Sequence, residues 1–279
     1  MKSLPKPSFG IAEFVRDCCG VIRNHNLKRD FSCCAPQLID AEGEFMDKFP
    51  RHKIYELYRG GDISNSITKD EMTKMYDSRM VQSRIRSQYY DLILASAPNG
   101  LCPQCYAREA NTLDHYLPKA EYPQFAVTPI NLVPSCMSCN KDKLSEFPTC
   151  ETDQLLHPYF DNIEPKVWLM AEVLHTTPVG FRFYVNPSVN VSSLLYERIE
   201  NTFNSYKLSS LYATKASQEF TSITRSLQKA FMNRPNGLQD FLKDAYESRE
   251  EAHGINGWQT VFYLTLLNDE WIINGGFIT

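Results

Sequence analysis

No part of the sequence has the roughly 18 consecutive apolar residues that a membrane helix requires. The first fourteen residues also lack the apolar segment of a signal peptide. These two absences predict a cytoplasmic protein with no membrane partner. Internal repeats and low-complexity tracts are missing too, and a chain with 43% apolar and 22% charged residues has the composition of a globular protein.

An excess of positive charge is also missing. The chain has 29 Lys and Arg against 33 Asp and Glu, which is a formal net charge of -4. Proteins that bind nucleic acid through a whole surface are usually basic, because Lys and Arg neutralise phosphates. Any contact with nucleic acid is therefore expected to come from a local patch or from a partner protein.

Cysteines, by contrast, are numerous, and their pattern does not fit a disulfide framework. The nine cysteines are an odd number, and they include two adjacent pairs, Cys18-Cys19 and Cys33-Cys34. In a reducing compartment such residues are either buried thiols or metal ligands. We interpret these four as buried thiols, because adjacent cysteines are poor co-ligands and no CxxC pair occurs among them.

Four other cysteines have the spacing of a metal site. Cys102 and Cys105 form one CxxC pair, Cys136 and Cys139 form a second, and 30 residues separate the pairs. Two residues between cysteines let both thiolates face one tetrahedral ion, and two such pairs complete its shell. We predict a structural Zn2+ here rather than four buried thiols. Because the shell is full, this ion takes no part in chemistry.

A zinc deaminase is excluded by a further absence. Such an enzyme needs a His followed two places later by a Glu that moves protons. None of the six histidines has a Glu at that position. A shell of four cysteines would also leave no opening for a reactive water.

The periodicity of apolar residues and the distribution of prolines divide the chain into three regions. Residues 1–97 and 166–279 have mainly helical periodicity, whereas residues 98–165 are rich in Pro, Cys and Asn. A segment with few core-forming apolar residues can be stabilised by a bound metal ion, because metal binding contributes free energy of folding. The expected fold class is α+β and mostly helical, with a zinc-stapled module between helical flanks.

Within these regions several elements are predicted individually. A capping box at Thr68 predicts one helix that continues to position 98, with Leu92 on its inner face. Alternating apolar residues at 180–187 predict a strand. Further helices are expected at 208–231, 238–252 and 257–268.

A second set of polar residues lies within and just after the loop between the cysteine pairs. Asp114 and His115 are adjacent, Asn131 follows, and Asn140 comes directly after the last cysteine. Phosphodiester hydrolysis needs a base that activates water and a cation that stabilises charge on the leaving oxygen. His115 suits the base, and carboxylate or amide oxygens suit Mg2+ or Mn2+. Adjacent strand residues point to opposite faces, so the Asp-His pair is expected near a strand end or a bulge.

The segments CPQC, LDHYLPK, INLVPSC and CNKDK, in this order, resemble the HNH (ββα-metal) endonucleases that carry a four-cysteine zinc staple. The resemblance covers about 60 of 279 residues and implies two antiparallel strands followed by a helix. It implies that His115 is the general base and that Asn131 holds the loop and ring of His115. Asp114 would bind the catalytic Mg2+ or Mn2+, and Asn140, which replaces the family's last His, would be a second ligand.

Basic residues beside these positions are expected to contact phosphate. Lys141 and Lys143 follow Asn140 at the start of a helix, and Lys119 lies four residues after His115. These three lysines form the local patch that an acidic protein would need for nucleic acid.

Three arginines and one further histidine have patterns that are less specific. Arg79, Arg84 and Arg86 precede the first cysteine pair, and they are either a DNA-facing patch or a solvated helix face. His157 is flanked by aromatic residues, so we interpret it as a packed and hydrogen-bonded side chain rather than a ligand.

Together with the later segment HPYFD, the motifs also resemble HNH proteins of bacterial anti-phage systems of the Septu type. Members of that type work beside an SMC-like ATPase, so the resemblance implies a nuclease effector with DNA as substrate and an ATPase as partner. The alternative is a zinc-stabilised subunit that binds nucleic acid or protein without catalysis. The effect of His115→Ala on activity distinguishes these two hypotheses.

Overall fold

The computed structural model describes residues 1–64, 67–143 and 146–278, which divide into two compact units. One unit is Lys2–Asp161, and the other begins at Asn162 and also includes Met1. The two regions that the sequence divides at residue 97 therefore share one compact unit. The fold class is α+β and mostly helical, with small two-stranded sheets. Among the described helices, none has the length and apolar character that a membrane crossing requires.

Helices form the N-terminal part of the first unit because apolar residues recur at helical spacing. In α1 (Ile11–Val21) the residues Ile11, Phe14 and Cys18 are buried on one face. The helices that follow are α2 (His25–Cys33), α3 (Ala35–Lys48), α4 (Lys69–Met75) and α5 (Tyr90–Ala95).

The helix predicted to continue from Thr68 to position 98 is interrupted. The capping box at Thr68 is present, but α4 passes into a π-helical turn, Tyr76–Val81, and ends there. The hydroxyl of Ser83 donates to the carbonyl of Arg79 and accepts a backbone N–H two residues on, so a side chain replaces helical backbone bonds. Because α5 is a separate helix, Leu92 is 55% exposed, and its predicted place on the inner face is wrong.

The central part of the first unit contains a short hairpin and a helix. The strands β1 (Thr112–His115) and β2 (Leu132–Ser135) pair in antiparallel fashion, with His115 opposite Leu132. Helix α6 (Met137–Lys143) follows directly. Leu113 and Leu132 are buried in the same apolar cluster as residues of α1, α4 and α5, so the N-terminal helices support the hairpin.

A second cluster of the first unit is aromatic and lies around the loop that follows β1. Phe45 of α3 contacts Phe125 with ring centroids 5.4 Å apart, and Tyr116 lies against Phe49 at 5.5 Å. These rings are buried, with Tyr159 at the edge of the same cluster. Aromatic packing of this kind gives the loop after His115 a rigid support.

The second unit is a hairpin covered by helices. The strands β3 (Leu169–Leu174) and β4 (Gly180–Val185) are antiparallel. The helices that follow are α7 (Ser193–Ser205), α8 (Leu208–Asn233), α9 (Gly237–His253), α10 (Trp258–Asn268) and α11 (Glu270–Ile273). The strand predicted at 180–187 and the three helices predicted from residue 208 onward are confirmed, with ends shifted by a few residues.

Candidate functional site

The two CxxC pairs come together at one point of the first unit. Cys102 and Cys105 lie in the loop before β1, Cys136 follows β2, and Cys139 is in α6. Their four Sγ atoms lie within 4.8 Å of one another, and all four residues are buried. Zinc–thiolate bonds of about 2.3 Å place tetrahedral sulfurs roughly 3.8 Å apart. The cluster therefore fits one tetrahedral metal ion and is consistent with structural zinc.

The environment of the remaining cysteines differs from that of the cluster. Burial raises the pKa of Cys18 to about 12 and that of Cys34 to about 11, so both stay protonated thiols. Cys19 is half-buried and Cys33 is exposed. The interpretation as buried thiols is therefore confirmed for Cys18 and Cys34 and wrong for Cys33. Within the described residues, the quartet is the group whose ligand atoms converge on one point.

Asp114 and His115 end strand β1. Asp114 is buried, at 4% exposure, while His115 is half-buried. The prediction of a strand end is confirmed. Because consecutive strand residues face opposite sides, the two side chains are available to different partners.

The imidazole of His115 is held in one tautomer. Its Nε2 lies 2.8 Å from the carbonyl oxygen of Ala126, and since a carbonyl only accepts, Nε2 carries the proton. Nδ1 is then the nitrogen with a free lone pair. The ring of Tyr76 packs edge-on at 4.4 Å between centroids. Burial lowers the pKa of His115 to about 3 although the bond to Ala126 opposes this, so the ring is neutral near pH 7.

Asn131 is fully buried and bonds to the loop that supplies the Ala126 carbonyl. Its Oδ1 accepts the N–H of Leu117 at 2.7 Å. Its Nδ2 donates to the carbonyls of Leu117 at 3.0 Å and Phe125 at 3.1 Å. Since Phe125 precedes Ala126 in the chain, these bonds fix the backbone against which the His115 ring rests.

The carboxylate of Asp114 has a cationic partner from α6. The Nζ of Lys143 lies 3.2 Å from Oδ1 and 3.0 Å from Oδ2, and it also donates to the carbonyl of His115. Both side chains are buried. Burial raises the pKa of Asp114, and the charge of Lys143 opposes that rise. Lys143 therefore points inward and is not available as the phosphate contact that the sequence predicted.

The remaining predicted residues lie nearer the surface. Asn140 is half-buried, and as it precedes Lys143 by three residues it lies on the same face of α6. Lys141 is exposed. The Nζ of Lys119 lies 3.1 Å from Asp77 and 4.6 Å from the centre of the Tyr76 ring. The charge of Lys119 also lowers the pKa of the His115 imidazole.

Residues outside the motif have structural roles. The His157 ring is buried among aromatic side chains, its Nε2 donates to the Ile130 carbonyl at 3.1 Å and its Nδ1 accepts the Tyr159 N–H at 3.2 Å. Its interpretation as a packed, hydrogen-bonded residue is confirmed. Arg84 donates to the Gly20 carbonyl, and Arg86 pairs with an aspartate of α5, so both are bound within the protein.

Two features of the site were missed from the sequence. Tyr76 covers His115 although it lies 39 positions away, and no local pattern signalled that contact. The pairing of Lys143 with Asp114 had a weak signal, namely the spacing of three residues from Asn140, which places Lys143 on the helix face shared with Asn140.

Among known proteins, the chain is similar to a protein of a bacterial virus. The chain is 27% identical to Protein ea31 of Escherichia phage lambda over 235 residues, which cover 80% of this chain and 79% of the relative. That name states no activity. No family model matches the chain, and no solved structure matches it. The chain is thus similar over most of its length to a phage protein, and its function is argued from its own residues.

Proposed function

We propose that this protein is a metal-dependent HNH endonuclease that hydrolyses phosphodiester bonds, with DNA as substrate. The observation that carries the proposal is the state of His115. The ring is neutral, its Nε2 proton is engaged by the Ala126 carbonyl, and its Nδ1 is therefore the basic nitrogen. An imidazole held in one tautomer with Nδ1 unprotonated is the form in which a histidine accepts a proton from water. Its low pKa makes the ring a weak base, because proton transfer is most efficient when the pKa of the base lies near the working pH.

In this proposal each residue has a separate task. His115 Nδ1 accepts the proton of the attacking water, while Asn131 and Tyr76 keep the ring in place. Asp114 and Asn140 offer a carboxylate and an amide oxygen, ligands that suit Mg2+ or Mn2+. That ion, when bound, supplies stabilisation of the charge on the leaving oxygen.

The four-cysteine cluster has a supporting role in the same proposal. A zinc ion with four thiolate ligands has no open position, so it joins the loop before β1 to α6 without taking part in hydrolysis. Asn140 follows Cys139 directly, so the ligand set of the zinc and that of the catalytic ion share one short helix. In this proposal β1, β2 and α6 together form a ββα-metal module.

Binding of DNA by a protein of net charge -4 needs local contacts. We assign these to Lys119 and Lys141, whose side chains are partly or fully accessible. We further propose that the protein acts as the nuclease effector of an anti-phage system beside an SMC-like ATPase. Such a partner would add its own DNA contacts to those of an acidic chain.

Cleavage of supercoiled plasmid tests the proposal directly. The zinc-loaded full chain is incubated with Mg2+ or Mn2+, with and without EDTA, and with its partner if one is identified. We expect nicked or linear product that EDTA abolishes and that His115→Ala reduces at least about a hundredfold. The matched control is His175→Ala, which removes an exposed histidine of the second unit that pairs with Asp269.

The result that would overturn the enzyme is cleavage by His115→Ala at the rate of the original protein. Absence of cleavage in every condition, partner included, would do the same. The second candidate function is then a zinc-stabilised binding subunit without catalysis. One observation favours it, because the buried Asp114 carboxylate is already paired with the ammonium of Lys143. It predicts that DNA or protein binding survives His115→Ala unchanged.

A further inference from the structure

Lys143 is the last residue of α6, and its charged side chain is buried, which is unusual for a lysine. Its side chain is only 2% exposed, and that of Asp114 is 6% exposed. The ammonium contacts both carboxylate oxygens and the carbonyl of His115, so it joins α6 to the end of β1. A buried lysine needs such partners, because an unpaired ammonium in the interior is strongly disfavoured.

The same ammonium lies at a point where the proposed function needs a cation. Asp114 is the carboxylate that would bind the divalent ion, and Lys143 contacts both of its oxygens at 3.0 to 3.2 Å. Asn140, the second proposed ligand, lies one turn earlier on the same face of α6. The ammonium therefore occupies the position at Asp114 that the divalent ion would take, and the oxygen atoms around it suit a positive charge.

We propose that Lys143 is an internal counter-ion that competes with the divalent ion for Asp114 and so sets the metal affinity of the site. This inference rests on the proposed function, because it assumes that Asp114 is a ligand of a catalytic ion. It adds a regulatory property, since the protein would stay in a metal-free state until the divalent ion outcompetes Lys143.

The competition follows from charge and burial. Without a divalent ion, Lys143 neutralises a carboxylate that would otherwise be buried and unpaired. A divalent ion on Asp114 repels the ammonium, which must then leave at least one carboxylate oxygen while the His115 carbonyl remains available to it. Displacing Lys143 costs free energy, so the ion binds more weakly than it would to the same oxygens without Lys143.

Direct measurement of Mn2+ binding to the zinc-loaded full chain tests this inference without any cleavage assay. Free Mn2+ is followed by electron paramagnetic resonance in the original protein and in Lys143→Met, which keeps side-chain length but removes the charge. We expect the dissociation constant for Mn2+ to fall about tenfold or more in Lys143→Met. The matched control Lys141→Met removes an exposed charge of the same helix, and we expect less than about a twofold change.

Each outcome has a distinct meaning. If the original protein binds Mn2+ and Lys143→Met binds it equally or more weakly, Lys143 is a structural support and the inference is wrong, while the nuclease proposal stands. If neither protein binds Mn2+, the metal-dependent function itself fails. Tighter binding that Asp114→Asn abolishes supports the competition.

A second variant covers the case in which Lys143→Met does not fold. Lys143→Gln keeps a neutral donor near the His115 carbonyl and removes the charge, and its Mn2+ affinity is measured in the same way. Thermal unfolding gives an independent readout, because Mn2+ should raise the melting temperature of either variant more than that of the original protein. An equal or smaller increase would count against the inference.

Discussion

At the scale of single residues, the properties of the site depend on backbone atoms as much as on side chains. The His115 tautomer is set by the Ala126 carbonyl, and the position of that carbonyl depends on Asn131. The residue types Asp, His and Asn led to the hypothesis of a catalytic group from the sequence alone. Which carbonyl the imidazole contacts could not be predicted, because ten residues lie between His115 and Ala126.

Asn131→Ala should destabilise the protein more than it changes the metal content. The substitution removes three buried hydrogen bonds and leaves the backbone of Leu117 and Phe125 without these partners. We expect the free energy of unfolding to fall by about 3 kcal/mol, measured by urea denaturation. Zinc content, measured by mass spectrometry, should stay at the original level. A loss below about 1 kcal/mol would show that the loop has other sufficient support.

At the scale of elements, the local patterns predicted helices well where one apolar face continues without interruption. α8 is an example, since Leu208, Leu211, Phe220 and Leu227 are buried along one face, although Phe231 at its end is exposed. α10 differs, because the four consecutive residues 260–263 are buried and the helix has no single apolar face. The prediction of one continuous helix after Thr68 was wrong, because the Ser83 side chain bonds to nearby backbone and the helix is interrupted there. The β1–β2 pair was expected only from the motif, because four-residue strands carry too little pattern by themselves.

The capping box of α4 provides a test at this scale. Thr68 Oγ1 accepts the N–H of Glu71 at 3.2 Å, and the Glu71 carboxylate accepts the N–H of Thr68 at 2.8 Å. Thr68→Ala removes the first of these bonds, and we expect a loss of about 1 kcal/mol in the free energy of unfolding. Thr68→Ser, which retains the hydroxyl, is the control and should remain close to the original protein. Equal losses in both variants would contradict a role for the cap.

At the scale of the whole molecule, the cysteines are confined to one of the two units. The last cysteine of the sequence is Cys150, and the second unit begins at Asn162. The four-cysteine cluster therefore belongs to the first unit, where a bound ion would join the loop before β1 to the end of β2 and to α6. The second unit has its own core, in which Phe183 of β4 packs on Tyr212 of α8 at 5.6 Å.

Removal of zinc should therefore affect the two units differently. With a strong zinc chelator, we expect amide hydrogens of β1, β2 and α6 to lose their protection against exchange, because a structural site contributes on the order of 10 kcal/mol of binding free energy. Protection in β3, β4 and α8 should persist. Hydrogen exchange followed by mass spectrometry measures both, with chelator saturated by zinc as control. Equal loss in both units would contradict a cluster that acts locally.

The sequence by itself determined the fold class, the zinc-ligand spacing and the identity of the polar residues around Asp114 and His115. These features are local, because two residues between cysteines and a helical apolar period are properties of neighbouring positions. Only the tertiary structure decided that Tyr76 covers His115 and that Lys143 pairs with Asp114. Both contacts join residues 29 or more positions apart. Lys143 pairs with Asp114 because folding leaves a buried carboxylate with no water to solvate it, whereas Tyr76 reaches His115 because it belongs to the apolar core beside β1.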